Sequence, residues 1–160
     1  MTVQLTFTRL KARLETITPP NPPGGALFVY DKPREAVSVG NFPSIVLALA
    51  PQVDHAWRIE ALGLGRHDYQ VALFLFLGPR QMPLNELHAR AEPWPALLAG
   101  ALLADITLGG AVMFLGHGDQ GNDSQPFFTY RVQPIPWGDG VYWVIKALLP
   151  VTEKPVMAMG

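Results

Sequence analysis

The chain has no cysteine among its 160 residues. Disulfide staples, thiolate metal sites and cysteine nucleophiles are therefore excluded, and redox compartment leaves no trace in the sequence. Charge is also sparse: Asp, Glu, Lys and Arg make up 16% of the chain and sum to −1. No cluster of Lys or Arg stands out, with Lys11 and Arg13 the nearest approach. Binding to nucleic acid draws on several cations that release counterions from phosphates, so free nucleic acid is not an expected ligand. Serine is scarce. Ser38, Ser44 and Ser124 are the only ones, and none stands in a G-x-S-x-G elbow. A P-loop and a G-x-G-x-x-G fingerprint are both missing, and Gly63 and Gly65 in ALGLGR read as a turn. His55, His67, His88 and His117 are too scattered for HExxH or His-x-His, so no metal site is expected. The opening MTVQLTFTRLKARLETI lacks a basic stretch followed by a long apolar core and is not expected to be a signal peptide.

Apolar sequence is what the chain has in quantity, 49% of residues with a mean hydropathy of +0.17. The length suits one hydrophobic core, and a single domain over 1–160 is expected. An oligomeric interface, which resembles a domain core cut in half, would account for the positive hydropathy. A membrane-associated protein using 93–116 is a rival reading, because Asp105 is the only charge from Pro93 to Gly116. Against it, Asp105 at mid-bilayer costs about 2.5–3.5 kcal/mol, and Pro93, Pro95 and Gly109-Gly110 add helix defects.

Residues 4–17 read as an amphipathic helix, with Leu10, Leu14 and Ile17 on one face and Arg9, Lys11, Arg13 and Glu15 on the other. The run PPNPPGG ends it. ALFVYDKP (26–33) is a short strand, and 31–41 a polar loop. FPSIVLALAP (42–51) is a strand whose terminal prolines point to a sheet edge. WRIEALG (57–63) is a strand or extended arm. The stretch 68–78 is apolar on both faces, so both must be covered. PLNELHARAEPW opens a helix with Glu86 placed four residues before Arg90, Pro93 and Pro95 break it, and PALLAGALLAD restarts it. Strands are expected at 110–116, 127–134 and 140–153, with Asp139-Gly140 as a hairpin turn. The fold class is α+β: a mixed or antiparallel sheet flanked by an N-terminal helix and a central, proline-broken helix pair.

The loop GHGDQGNDS (116–124) holds Asp119, Asn122 and Asp123 among glycines, without the closing Glu of an EF-hand. It reads as a polar hairpin loop, and these three residues are the candidate partner contacts. His67-Asp68 with His117 and Asp119 is a composite pocket for a rival reading as a small hydrolase or binding domain. Glu86 with Glu92, and Asp105 with Asp119, have nothing to bring them together. No catalytic residue and no cofactor is assigned, and an enzyme is not expected. Tyr130, Trp137, Tyr142 and Trp143 could form a stacking stripe, but the alternation around Trp143 reads as core packing.

As a whole, the pattern resembles the tail terminator, or tail-completion, proteins of long-tailed bacteriophages and prophages. The matching features are the leading helix, the proline-rich crossing, FPSIVLAL, YQVALFLFL, the block ELHARAEPWPALLAGALLADITLGGAV and the late strand GVYWVIKALLPVTE. The resemblance covers most of the chain. It implies an α+β subunit of a hexameric ring at the head-proximal end of the virion tail, assembled in the host cytoplasm. Such a ring stops polymerisation of the major tail tube protein and docks the head–tail connector, while DNA passes through without specific binding and no membrane is involved. The near-neutral charge agrees with a lumen that does not retain DNA. A head–tail adaptor or minor tail protein is the nearest alternative.

Overall fold

The computed structural model describes residues 2–21, 26–31, 42–49, 56–61, 64–112, 114–116, 127–138, 140–153 and 156–157. It is an α+β fold whose elements are α1 (Thr2–Leu14), β1 (Phe28–Tyr30), β2 (Ser44–Leu49), β3 (Ala56–Ala61), β4 (Leu64–Pro79), α2 (Leu84–Ala91), α3 (Trp94–Leu103), β5 (Phe114–Leu115), β6 (Thr129–Trp137), β7 (Gly140–Thr152) and β8 (Val156–Met157). The eight strands lie in one sheet of five rows, β1–β2–β4–β7–β5. β3 continues the β2 row along β4, β8 continues the β7 row, and β6 lies with β5 in the row beyond β7. Only β1 and β2 pair in parallel, so the sheet is mixed.

The long central pair β4–β7 explains the doubly apolar sequence. Tyr69, Val71, Leu73, Leu75 and Leu77 share one face of β4 and join Ile45, Leu47, Ile145, Leu149 and Val151 in the main core. Leu10 and Leu14 of α1, Leu87 of α2, and Trp94, Leu98 and Leu102 of α3 close that core from the helix side. The opposite face is covered by side chains rather than by a helix among the described residues. Phe76, Val46, Val144 and Tyr142 are buried there, with Phe42, Phe74 and Trp137 packed against them. Trp137 meets Phe76 edge-on at 5.3 Å, a geometry favoured by the ring quadrupoles.

Several sequence expectations are corrected. β2 is not an edge strand over Ser44–Val46, because β1 pairs with it there. Phe42–Pro43 is a cis peptide bond, and the Pro43 carbonyl accepts the Phe28 N–H at 3.3 Å. The strand expected at 110–116 shrinks to Phe114–Leu115. Residues 104–112 instead form a chain of tight turns in which Leu108, Gly109 and Gly110 all take positive φ (51°, 68° and 87°). The Asp105 carboxylate accepts the Gly109 N–H at 3.0 Å, and the buried Leu108 side chain anchors the turn in the core. No helix of the described residues is long and apolar enough to cross a membrane, and 93–116 is divided among α3, these turns and β5.

The helix pair breaks where the prolines stand. Pro83 precedes the first turn of α2, and Pro95 occupies the first turn of α3, where a missing N–H loses no hydrogen bond. Arg90 on α2 donates to the Leu77 carbonyl at 2.7 Å and to Glu86 at 2.7 Å, fastening α2 over the end of β4. Arg13 donates to the Ala101 carbonyl at 2.7 Å and ties α1 to α3.

Candidate functional site

The sequence-predicted contacts Asp119, Asn122 and Asp123, with His117 and His55, lie outside the described residues. What the structure supplies is the root of that segment. Gly116 follows β5 and donates its N–H to the Pro150 carbonyl at 2.7 Å, and Phe127 stands at the other end, just before β6. Gly116 has φ +66°, and a Cβ there would meet the Phe127 ring and lie 2.9 Å from the Phe127 carbonyl. Glycine at this position allows the two ends of 116–127 to close against each other. The second segment singled out from sequence, 31–41, lies outside the described residues apart from Asp31. It leaves β1 near the level of Leu47 and returns at Phe42, at the far end of β2. The two segments are thus rooted at opposite lateral edges of the sheet, 31–41 at β1–β2 and 116–127 in the β5–β6 row.

Beside the root of 116–127 lies a polar group that the sequence reading did not single out. The Glu153 N–H donates to the His67 carbonyl at 3.2 Å, continuing the β4–β7 pairing past Thr152. Glu153 is 3% exposed, and its Oε1 has no hydrogen-bond partner among the described residues. Tyr69 is buried close by, its ring 4.7 Å from the His67 ring, and buried Thr6 of α1 completes the group. Burial raises the Tyr69 phenol far above its ordinary value, the Glu153 carboxylate pushes in the same direction, and the Thr6 hydroxyl acts the other way. The phenol is therefore a neutral hydrogen-bonding group at physiological pH, and the cluster is a polar plug where sheet and α1 meet. Two sequence signals marked it: the tyrosine at the head of a doubly apolar run, and the carboxylate closing VTE.

Of the composite pocket, His67 and Asp68 alone lie among the described residues, and His117 and Asp119 lie outside them. Along β4 successive side chains alternate, so His67 lies with Tyr69 on one face and Asp68 is turned to the other. Glu86 is engaged by Arg90, and Glu92 lies 3.7 Å from His88 on the exposed side of α2, so the two do not form an acid–base pair. The described residues hold no group of three His, Asp or Glu side chains arranged for a metal ion. A small apolar hollow between α3 and the sheet, lined by Leu73, Leu98, Leu102, Phe128, Ala147 and Leu149, offers no polar group to orient a ligand.

The aromatic stripe divides. Tyr142 is buried, and Trp143 is half-buried with its Nε1 donating to the Arg80 carbonyl at 3.2 Å. Trp137 packs on Phe74 and Phe76. Tyr130, by contrast, is 52% exposed on β6, next to Val132 at 39%. The outer sheet row is thus an apolar surface that the core does not absorb. The chain matches no protein-family model and no curated protein.

Proposed function

We propose that this chain is a ring-forming structural subunit that caps the tail tube of a long-tailed bacteriophage and joins it to the head connector. The observation that carries the reading is the α2–α3–turn block. The sequence ELHARAEPWPALLAGALLADITLGGAV, on which the resemblance rests most heavily, packs as one unit on the helix face and leads through the Asp105–Gly109 turn into β5. Two further features support it. The segments 31–41 and 116–127 are rooted at opposite lateral edges of the sheet, which suits a subunit that meets different neighbours on its two sides. The net charge of −1 suits a channel through which DNA passes without being held. In this reading the protein is not an enzyme, takes no cofactor and resides in the virion tail after assembly in the host cytoplasm.

The test is a pair of measurements. Light scattering during size-exclusion chromatography, with negative-stain imaging of the peak, is expected to give closed rings of about six subunits, a closure that a head-to-tail interface permits. Added to polymerising tail tube protein, the chain is expected to halt elongation and leave a cap at one end. Replacing 117–124 by a short Gly-Ser turn is expected to weaken capping or head joining. If both survive unchanged, Asp119, Asn122 and Asp123 are not the contacts. If tube growth continues past saturating chain, the terminator reading is wrong and an adaptor role takes its place.

A further inference from the structure

The two lateral edges of the sheet match each other. β6 and β7 meet in a two-residue hairpin with Trp137 opposite Gly140, so this pair exchanges hydrogen bonds and every second pair along the ladder does the same. Two bonds fix that phase independently. The Val141 carbonyl is turned away from β6 and accepts the Arg80 N–H, whereas the Pro150 carbonyl is turned toward the β5–β6 row and accepts the Gly116 N–H. Thr129, Arg131, Gln133, Ile135 and Trp137 therefore bond to β7. Tyr130, Val132, Pro134 and Pro136 direct their backbone groups to the open edge. The prolines stand where no ladder donor is needed, and they blunt the second half of the edge. Among the described residues no strand takes up the outward N–H groups of Tyr130 and Val132, the two residues whose side chains are most exposed on this strand among its large apolar groups.

At the opposite edge, the Phe28 N–H bonds inward to Pro43, so Phe28 and Tyr30 face β2 and Val29 directs its backbone groups outward. The pairing registers carry the levels across the sheet. Val29 aligns with Ile45, Leu75, Ile145 and Val132, and Tyr30 aligns with Val46, Phe74, Lys146 and Arg131. β1 runs antiparallel to β6, and Phe28 is exposed at 38% on this edge.

We propose that β6 of one subunit pairs antiparallel with β1 of a second copy of this chain, joining neighbouring sheets into one continuous band. The inference rests on the ring reading above and deepens it by naming the interface. With the levels kept, Val132 exchanges two backbone hydrogen bonds with Val29 of the partner subunit, both outward-facing residues of their strands. Arg131 then faces Tyr30 of the partner subunit, a cation against an aromatic ring, with Asp31 of the partner subunit as the next residue. Charge decides against self-pairing of β6. Arg131 stands opposite Lys146 within the subunit, and a two-fold pair setting Tyr130 against Val132 would add a second Arg131 directly opposite the first. A head-to-tail contact between unlike edges avoids this and repeats around a ring.

The test uses Val132→Pro and the absence of native cysteine. Val132 directs its N–H outward, so proline there spares the β7 ladder and removes one intersubunit donor. It is expected to raise the concentration at half-assembly about tenfold or more, with circular dichroism unchanged. Arg131→Cys combined with Tyr30→Cys is expected to give an oxidised ladder of covalent multimers, and either single variant none. Rings that persist in Val132→Pro, with no ladder from the double variant, overturn the edge pairing while leaving the ring reading intact. A covalent dimer from Arg131→Cys alone overturns it in favour of β6 self-pairing. A wild-type chain that stays monomeric at high concentration and on added tail tube overturns both readings together.

Discussion

At the residue scale, two positions hold the sheet end near the candidate contact segment. Gly116 takes φ +66° with the Phe127 carbonyl 2.9 Å from where a Cβ would stand. Gly116→Ala forces both a left-handed backbone on a side chain and a collision, so a loss of about 2–4 kcal/mol is expected from the urea midpoint. Tyr69 carries a pH signature. Its phenol is raised above its ordinary value of 10.0 by burial, helped by Glu153. The unfolded chain releases this proton near 10 and the folded chain keeps it, so the unfolded state binds fewer protons above that pH. Stability is unaffected below that window and falls as pH rises through it, by about 1.4 kcal/mol per pH unit from this one group. Tyr69→Phe is expected to flatten that alkaline decline in denaturant titrations at successive pH values. An unchanged slope would assign the decline to other groups.

At the element scale, α2 is held to β4 by one cation as well as by buried Leu87. Arg90 gives one nitrogen to the Leu77 carbonyl and another to Glu86, both at 2.7 Å, with its side chain 17% exposed. Arg90→Met removes a charged hydrogen bond to a backbone carbonyl and is expected to cost about 1.5–3 kcal/mol by thermal or urea unfolding. Glu86→Gln is expected to cost about 0.5 kcal/mol or less, since the partner is half-exposed and an exposed ion pair contributes little. Equal losses would show that the ion pair, and not the carbonyl, fastens the helix. The Glu86–Arg90 spacing was legible in the sequence because helix periodicity puts positions four apart on one face. The Leu77 bond was not, because it joins elements whose packing no local pattern specifies. The same limit explains 110–116. Its apolar letters suit a strand, but Leu108, Gly109 and Gly110 use positive φ to turn the chain before β5, and only two residues pair.

At the scale of the whole molecule, the sheet has one face under helices, one under its own aromatic side chains, and two edges at the sides. The apolar surplus seen in composition goes partly to burying both faces and partly to the edges, where Tyr130, Val132 and Phe28 stay exposed. A mass measurement is therefore the most direct check at this scale: a stable ring gives those edges an occupant, and loss of the ring in Val132→Pro ties the edge to the assembly.

The sequence by itself determined the α+β class, the helix pair and where prolines break it, and the doubly apolar strand, because periodicity, proline stereochemistry and side-chain alternation are local properties of the chain. Only the tertiary structure decided that β2 is sheltered by β1 and that Glu153 meets Tyr69 and Thr6. It also decided the hydrogen-bond phase that turns the backbone groups of exposed Val132 and of Val29 outward on matching levels. These depend on strand order and register, which are set by packing between residues far apart in the chain and leave no local mark in it.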